Sequence, residues 1–307
     1  MAQRHGATTT RSPSGSARAG PPDAGLSDAH LPDAGLSDAG LSRRAFLAWL
    51  GVGAVGAATG AVGLVANTFR FGVEPVTVAL PSLRAPVRVA WLCDLHYGPF
   101  IRANTVATWV DATLALSPDL IVLGGDMVDH RAPRDVAPLL AQLERLRAPL
   151  GTFAIRGNHE YHWSGDLERF EADLEGLGVE VLVNQGRMLR DDLHLAGVDN
   201  SQVGGRQMRQ ALAQHEPGSA CLLASHPPDL LPRVPEAVDF TLMGHTHGGQ
   251  VRIPGLPPLM PRSRFGLDAG LFHAPAFGYV SRGLGVTHLP VRINCPAELT
   301  LATLLPA

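Results

Sequence analysis

The chain contains no lysine at all, so every one of its 25 basic residues is an arginine. That absence excludes a Schiff-base lysine and the lysine of a phosphate-cradling P-loop. Cysteine is almost as scarce. Cys93, Cys221 and Cys295 are too few and too widely spaced for a disulfide framework or a cysteine-rich zinc site, and at most one bridge could form among them. An excess of one charge is also missing, because 25 Arg stand against 28 Asp and Glu for a net charge of -3. Such a balance leaves no electrostatic footprint for duplex nucleic acid. What is present is globular: hydrophobic residues make up 45% of the 307 positions, enough to fill the core of one large or two modest domains. Thirteen histidines are a surplus, and their placement carries the functional reading.

The first part of the chain is organised differently from the rest. Residues 1–42 form a polar tail rich in Gly, Ser, Ala, Pro and Asp, in which one decamer is written twice, as Asp23–Pro32 and Asp33–Ser42. A solenoid needs several longer repeats, so this tail reads as disordered low-complexity spacer. Residues 43–70 then change character: Ser42-Arg43-Arg44-Ala45-Phe46-Leu47 opens a stretch that carries no charge from Ala45 to Asn67. The pattern resembles a twin-arginine export signal, with an ordinary transmembrane helix as the alternative. Both place Arg43 and Arg44 on the cytoplasmic side and the remainder of the chain outside. No clean Ala-x-Ala cleavage site is evident near Ala61–Ala66, which leaves retention as a membrane anchor and removal both open. The expected partners are therefore the twin-arginine export machinery and, through this segment, the membrane. The expected location is the extracytoplasmic face of the cytoplasmic membrane, with release there if the segment is cleaved.

Residues 72–307 read as one α/β domain. Val87–Cys93, Leu120–Leu123, Thr152–Ile155, Ala220–Ala224 and Asp239–Met243 are short apolar runs and predict buried strands. Asn104–Leu116, with Asn104 as N-cap, Arg134–Arg147 and Asp166–Leu177 carry helical spacing. Val251–Pro275 is dense in Pro and Gly and reads as a long loop or lid, and Glu298–Leu304 as a closing edge strand. Each of the five apolar runs stops at a polar cluster: Asp94-Leu95-His96, Gly125-Asp126 with Asp129, Asn158-His159-Glu160, His226, and His245-Thr246-His247. Ligands bind outside the carboxyl ends of strands in open α/β sheets, so five such clusters predict one shared crevice.

The residue types suit two divalent metals. Asp94 and His96 are two apart at a strand end, where extended backbone points both side chains the same way. Asp126 could bridge two ions with one carboxylate. Mixed Asp, Asn and His donors favour Mn, Fe or Zn over all-oxygen Mg or Ca sites. Two dications carry +4 against -2 from Asp94 and Asp126, and one hydroxide still leaves about +1, which attracts a phosphate ester.

The order D-x-H, G-D-x-x-D, G-N-H-E, H, G-H-x-H resembles the five-part signature of calcineurin-like metallophosphoesterases, over roughly residues 76 to 305. Gly244–Ile253, Tyr279–Gly285 and Val291–Leu301 are similar to its bacterial, twin-arginine-exported phosphodiesterase-like branch. The resemblance implies a four-layer αββα sandwich, two mixed sheets flanked by helices, with the metal site at the carboxyl ends of the strands. It implies Asp94, His96 and His247 on a first metal, Asp126 bridging, and Asn158, His226 and His245 on a second. It further implies His159 as the acid that protonates the leaving group, oriented by Asp129. After Asp129 the chain reads His130-Arg131 and lacks the phosphate-clamping arginine of Ser/Thr protein phosphatases. Arg282 is a candidate for a substrate phosphate or an ordinary salt bridge, and His162 for the substrate mouth.

The function expected from these residues is metal-dependent phosphoester hydrolysis outside the cytoplasm. A phosphodiester or pyrophosphate leads as substrate, whether a small molecule or a lipid. A phosphomonoesterase of the same fold is the alternative enzyme, and a catalytically silent, membrane-anchored metal-binding protein is the alternative from another class. A nuclease is disfavoured because no basic, aromatic-interleaved patch occurs.

Overall fold

A computed structural model describes residues 68–200, 207–258, 263–274 and 276–307. The reading of residues 1–42 as a spacer lies outside the described residues, as does all but the end of the 43–70 segment. Among the described residues no helix is long and apolar enough to cross a membrane.

Two six-stranded mixed sheets form the frame. The first is built from β1 (Phe71–Leu80), β2 (Val87–Leu92), β3 (Leu120–Leu123), β4 (Thr152–Ala154), β5 (Val179–Val181) and β12 (Ala297–Pro306), in the order β1-β12-β2-β3-β4-β5. The second is built from β6 (Gln185–Arg190), β7 (Leu193–Gly197), β8 (Ala220–Ala224), β9 (Phe240–Met243), β10 (Gly270–Phe272) and β11 (Gly278–Val280), in the order β10-β11-β9-β8-β7-β6. Strands β2 to β5 are mutually parallel, and so are β7, β8, β9 and β11.

Alternation along the strands decides which layer each residue joins. Val87, Val89 and Trp91 of β2 face the second sheet and pack with Ala220, Leu222, Phe240 and Leu242. Ala90 and Leu92, with Ile121 and Leu123 of β3, face the other way. There they meet α1 (Ala103–Ala115), α2 (Ala137–Leu143) and α4 (Leu167–Gly176) through Trp109, Leu139, Leu143, Phe170 and Leu174. Both faces of these strands are covered, which is why they read as continuous apolar runs. Behind the second sheet, Cys221 and Leu223 pack with Ala211, Leu230 and Val238. The layering is the expected αββα sandwich, although its fourth layer is thin. Among the described residues it comprises the four-residue helix α5 (Met208–Ala211) and a 3-10 turn at Pro228–Arg233.

Several expectations are corrected. The Glu298–Leu304 run is not at an edge, because β1 pairs in parallel along all of β12 and takes the edge position. The helix expected at Arg134–Arg147 spans only Ala137–Leu143, with Pro138 in its first turn fixing where it can start. Arg102, not Asn104, is the N-cap of α1; the Asn104 side chain instead accepts the neighbouring Thr105 N–H. The Val251–Pro275 loop contains the short strand β10, paired with β11. Asp166 does cap α4, accepting the N–H of Arg169. All three cysteines are free and buried.

The Trp91 ring fills the space between the sheets and lies so close to Gly124 that a Cβ there would stand 2.4 Å from its Cζ2. Truncation cannot be relieved by collapse of rigid strands, so Trp91→Ala should cost about 3–5 kcal/mol. The midpoint and slope of urea unfolding measure it.

Candidate metal centre

The site is assembled where five parallel strands stop. Asp94 and His96 follow β2, Asp126 and Asp129 follow β3, and Asn158 and His159 open the short helix α3 (Asn158–His162) after β4. His226 follows β8, and His245 and His247 follow β9. The chain leaves these strands in an unusual way. Asp94, His96, Asp126, His245 and His247 all have positive φ, between 49° and 73°. Side chains other than glycine avoid this left-handed region, and non-glycine residues held there cluster at functional sites. Backbone pairing holds them there: the N–H groups of Asp94, His96 and Tyr97 donate to the carbonyls of Gly125, Asp126 and Met127.

Two groups of donors result. Asp94, His96 and His247 place one ligand atom each within 4.8 Å of one another, and Asp126, His226 and His245 do the same. Within the first group, His96 Nε2 lies 2.9 Å from His247 Nε2, two buried imidazole nitrogens facing each other. The groups meet at one oxygen. Asp126 Oδ2 is 3.5 Å from His96 Nε2 and 3.2 Å from His226 Nε2. The other oxygen, Oδ1, accepts the backbone N–H of His159, which fixes the carboxylate's rotation. Gly157 must be glycine for this approach, since a Cβ would sit 2.0 Å from Asp126 Oδ1.

These donors suit cations. Asn158 Oδ1 is buried without a hydrogen-bond partner, a costly arrangement unless something else takes its lone pairs. His226 Nδ1 is 2.8 Å from the Gly124 carbonyl, so it carries the proton and leaves Nε2 to face Asp126. Burial drives the protonation of the other groups. It lowers His96 to about 3 and His245 to about 4, and it raises Asp94 to about 6. Neutral imidazoles are the form that binds metal.

Glu160 is the residue whose role the sequence did not disclose. It is buried, and its carboxylate accepts the N–H groups of Asp126 (2.9 Å), Met127 (2.5 Å), Val128 (3.2 Å) and Gly157 (2.7 Å). Its position three residues after Gly157 is a capping-box spacing, the one local signal that could have marked it. Arg292 was missed as well. It is buried behind His247, and its guanidinium donates to the carbonyls of Arg282, Gly283, Gly285 and Cys295. It lies in the Val291–Leu301 run that resembles the phosphodiesterase-like branch, but nothing in that run marks it as buried or gives it a role.

The expected roles near His159 are redistributed. Asp129 Oδ2 stands 3.8 Å from His159 Nδ1, beyond hydrogen-bond reach, because Arg131 engages both carboxylate oxygens. The His130 backbone N–H donates to His159 Nδ1 instead, at 3.1 Å. A His159 ring nitrogen lies within 4.8 Å of ligand atoms of His96 and Asp126. Arg282 is ion-paired with Glu74 and Glu298, so its role is a salt bridge. His162 is exposed at the end of α3.

Residues 87–249, more than half of the chain, match the model of the calcineurin-like phosphoesterase family. The phosphodiesterase YaeI of Escherichia coli is 30% identical over 72% of this chain and 83% of that protein. The metallophosphoesterase YkuE of Bacillus subtilis is 28% identical over 86% of this chain and 97% of that one. A bovine transmembrane protein with a metallophosphoesterase domain is 31% identical over 73% of this chain, and the match spans 55% of that protein's length.

Proton release should accompany metal loading. Burial pulls the His226 imidazole down, but the Asp126 carboxylate and then Asp94 outweigh it and raise the group to about 10 in the metal-free chain. Its Nε2 therefore carries a proton at neutral pH that a cation must displace. Apparent metal affinity should rise with pH up to about 10, and loading at pH 7 should release at least one proton per chain. The raised value also stabilises the metal-free fold below the ordinary histidine range, and that contribution is lost as the pH rises toward 10. Calorimetric titration in two buffers of different ionisation enthalpy counts the protons, and a count of zero removes His226 from the ligand set.

Proposed function

The chain belongs to the calcineurin-like phosphoesterase family, and from that premise we propose a two-metal hydrolase of phosphodiesters or pyrophosphates that acts outside the cytoplasm. Metal-dependent phosphoester hydrolysis is the activity of the family. The finer reading assigns Asp94, His96 and His247 to a first ion, Asn158, His226 and His245 to a second, and Asp126 to both. The single observation that carries it is the position of Asp126 Oδ2 between His96 Nε2 and His226 Nε2. Mn, Fe and Zn are the ions that this mixture of carboxylate, amide and imidazole suits.

Bound divalent ions supply Lewis acidity at the phosphoryl oxygens and bring the attacking water's ionisation toward neutral pH. The chain's own groups do the rest. Asp94 and Asp126 contribute only two negative charges among neutral imidazoles, so the loaded site stays attractive to an anionic ester. The buried frame around them excludes bulk water, which strengthens each electrostatic contact. His159 holds the proton for the leaving oxygen. Its Nδ1 lone pair is occupied by the His130 N–H, so the proton it transfers is on Nε2. Burial lowers the His159 pKa, although Asp126 and Asp129 oppose that shift, and the ring so held is a neutral imidazole with its N–H on Nε2. The name of the Escherichia coli relative supports a diester over a monoester. An acid-capable histidine beside the donor groups supports a working enzyme over a silent metal-binding protein.

The uncharged Ala45–Asn67 stretch, preceded by Arg43-Arg44, supports export and a membrane anchor, and the transmembrane relative is consistent with it. An anchored site would reach a phosphoester carried on a lipid.

Two experiments test this. His159→Ala should keep its metal and lose about 10²–10⁴-fold in rate on a diester with a poor leaving group, and much less on a nitrophenyl ester. Asp126→Ala should lose metal and fail on both. Elemental analysis beside rates on the two leaving groups separates the outcomes; loss of metal from His159→Ala would make it a ligand. For export, changing Arg43 and Arg44 together to Ala should trap the protein inside the cell, since a receptor-read address depends on specific residues. Fractionation of cells expressing that variant measures it, and normal export would point to the general secretory route.

A further inference from the structure

We propose that the loops around His245–Gln250 form a surface that docks on an anionic lipid bilayer, so that the catalytic edge faces the membrane. This deepens the lipid-linked part of the proposed function and rests on it for the substrate, though not for the docking itself.

The polarity of the strands carries the argument. β12 runs antiparallel to β2, with Thr300 opposite Trp91, so its amino end lies at the edge where β2 delivers Asp94. There the Glu298 N–H donates to the Gly283 carbonyl, and Gly283 is so close to Asp94 that an added Cβ would stand 2.6 Å from the Asp94 Cβ. β1 is parallel to β12, with Phe71 opposite Ala297, so β1 also begins at the catalytic edge. Only Thr68, Phe69 and Arg70 separate Phe71 from the end of the uncharged stretch at Asn67. Three residues reach about 10 Å at most. The Thr68 hydroxyl is itself bonded to the Arg292 N–H, and the Arg292 guanidinium lies 3.4 Å from His247 Nδ1. The described chain thus begins beside the site.

The same rim carries most of the exposed large apolar side chains among the described residues. Among the described residues six large hydrophobics are 41–60% exposed, and five of them, Ile253, Leu256, Phe265, Leu271 and Leu289, lie between residues 253 and 289. Their loops are fastened to the histidine turn. The Gln250 side chain donates to the Leu289 carbonyl, Val251 bridges Ile293, and the Thr246 hydroxyl donates to the Asp268 carbonyl. Apolar tips on a rim, rather than one flat face, suit insertion between headgroups. Charge agrees. Of the arginines described on these loops, Arg264 is the one held out in solvent, with its side chain 88% exposed beside the rim's apolar tips. An exposed guanidinium beside inserted apolar side chains suits an anionic headgroup.

The test places a fluorophore on the full, metal-loaded chain. Its native cysteines are buried, so an introduced thiol is labelled selectively at Leu256→Cys, at Leu289→Cys, or at Glu216→Cys, an exposed position just before the amino end of β8 on the opposite edge. Each is mixed with phosphatidylcholine–phosphatidylglycerol vesicles carrying brominated acyl chains. Labels at 256 and 289 should shift to the blue and lose emission to the bromine, while the label at 216 should do neither. Bromine on acyl chains quenches only at short range, so a label merely held near the bilayer by the uncharged stretch keeps its emission and only one that inserts loses it. Labels at 256 and 289 behaving like the one at 216 would overturn docking, as would a response to added soluble protein without bromine quenching. Turnover of a water-soluble nitrophenyl diester by the same samples separates the two readings. Quenching without turnover counts against the enzyme reading, and turnover without quenching counts against the docking surface.

Discussion

A single buried carboxylate, that of Glu160, organises the site. It takes four backbone N–H groups from the turns that end β3 and β4 and so locks two strand ends to each other. Burial pushes the Glu160 carboxyl up to about 7, and the backbone donors oppose that shift. Their direction is what matters: N–H groups aimed inward at Glu160 leave Asp126 turned outward, with one oxygen held by His159 N–H and the other lying between two imidazoles. A charge-assisted set of this kind is worth more than isolated neutral bonds, because the alternative is a buried anion without donors.

Arg292 is the counterpart with the opposite sign. Where Glu160 gathers N–H groups from the first sheet's turns, Arg292 gathers carbonyls from the loops after β11 and before β12 and lies against His247. Burial lowers its pKa, yet the carbonyl oxygens around it satisfy the guanidinium geometry. Between these two hubs, five donor residues are held at positive φ. Each such residue costs of order 1–3 kcal/mol, which a structure tolerates only when its surroundings over-determine it. Metal binding to a site formed only in the fold adds to the stability that offsets this strain.

Strand direction also gives the molecule a sidedness. All five donor-bearing strands end at one edge, while β1 and β12 begin there, so the arriving chain and the metal groups share that edge. The Arg292 hub lies at the same edge, where its N–H also meets the Thr68 hydroxyl at the start of the described chain.

By itself the sequence determined five of the buried strands, though not β7 or β11, together with the α/β class and the residues that close on one another. Each of these is written locally: doubly covered strands must be apolar throughout, and Asp94, His96, Asp126, His226, His245 and His247 stand where those runs stop. It could not determine the place of β12. Its alternation describes half-burial, and the partner that turned it into an inner strand, β1, lies more than two hundred residues earlier. Nor could it show that Asp129 turns to Arg131 and leaves His159 to the His130 backbone, because that choice compares two partners only a few ångströms apart. Glu160 and Arg292 were hidden for the same reason. A carboxylate or guanidinium reads as surface in one dimension, and only the packed chain, by surrounding each with backbone N–H or C=O groups that have no other partner, makes its burial favourable.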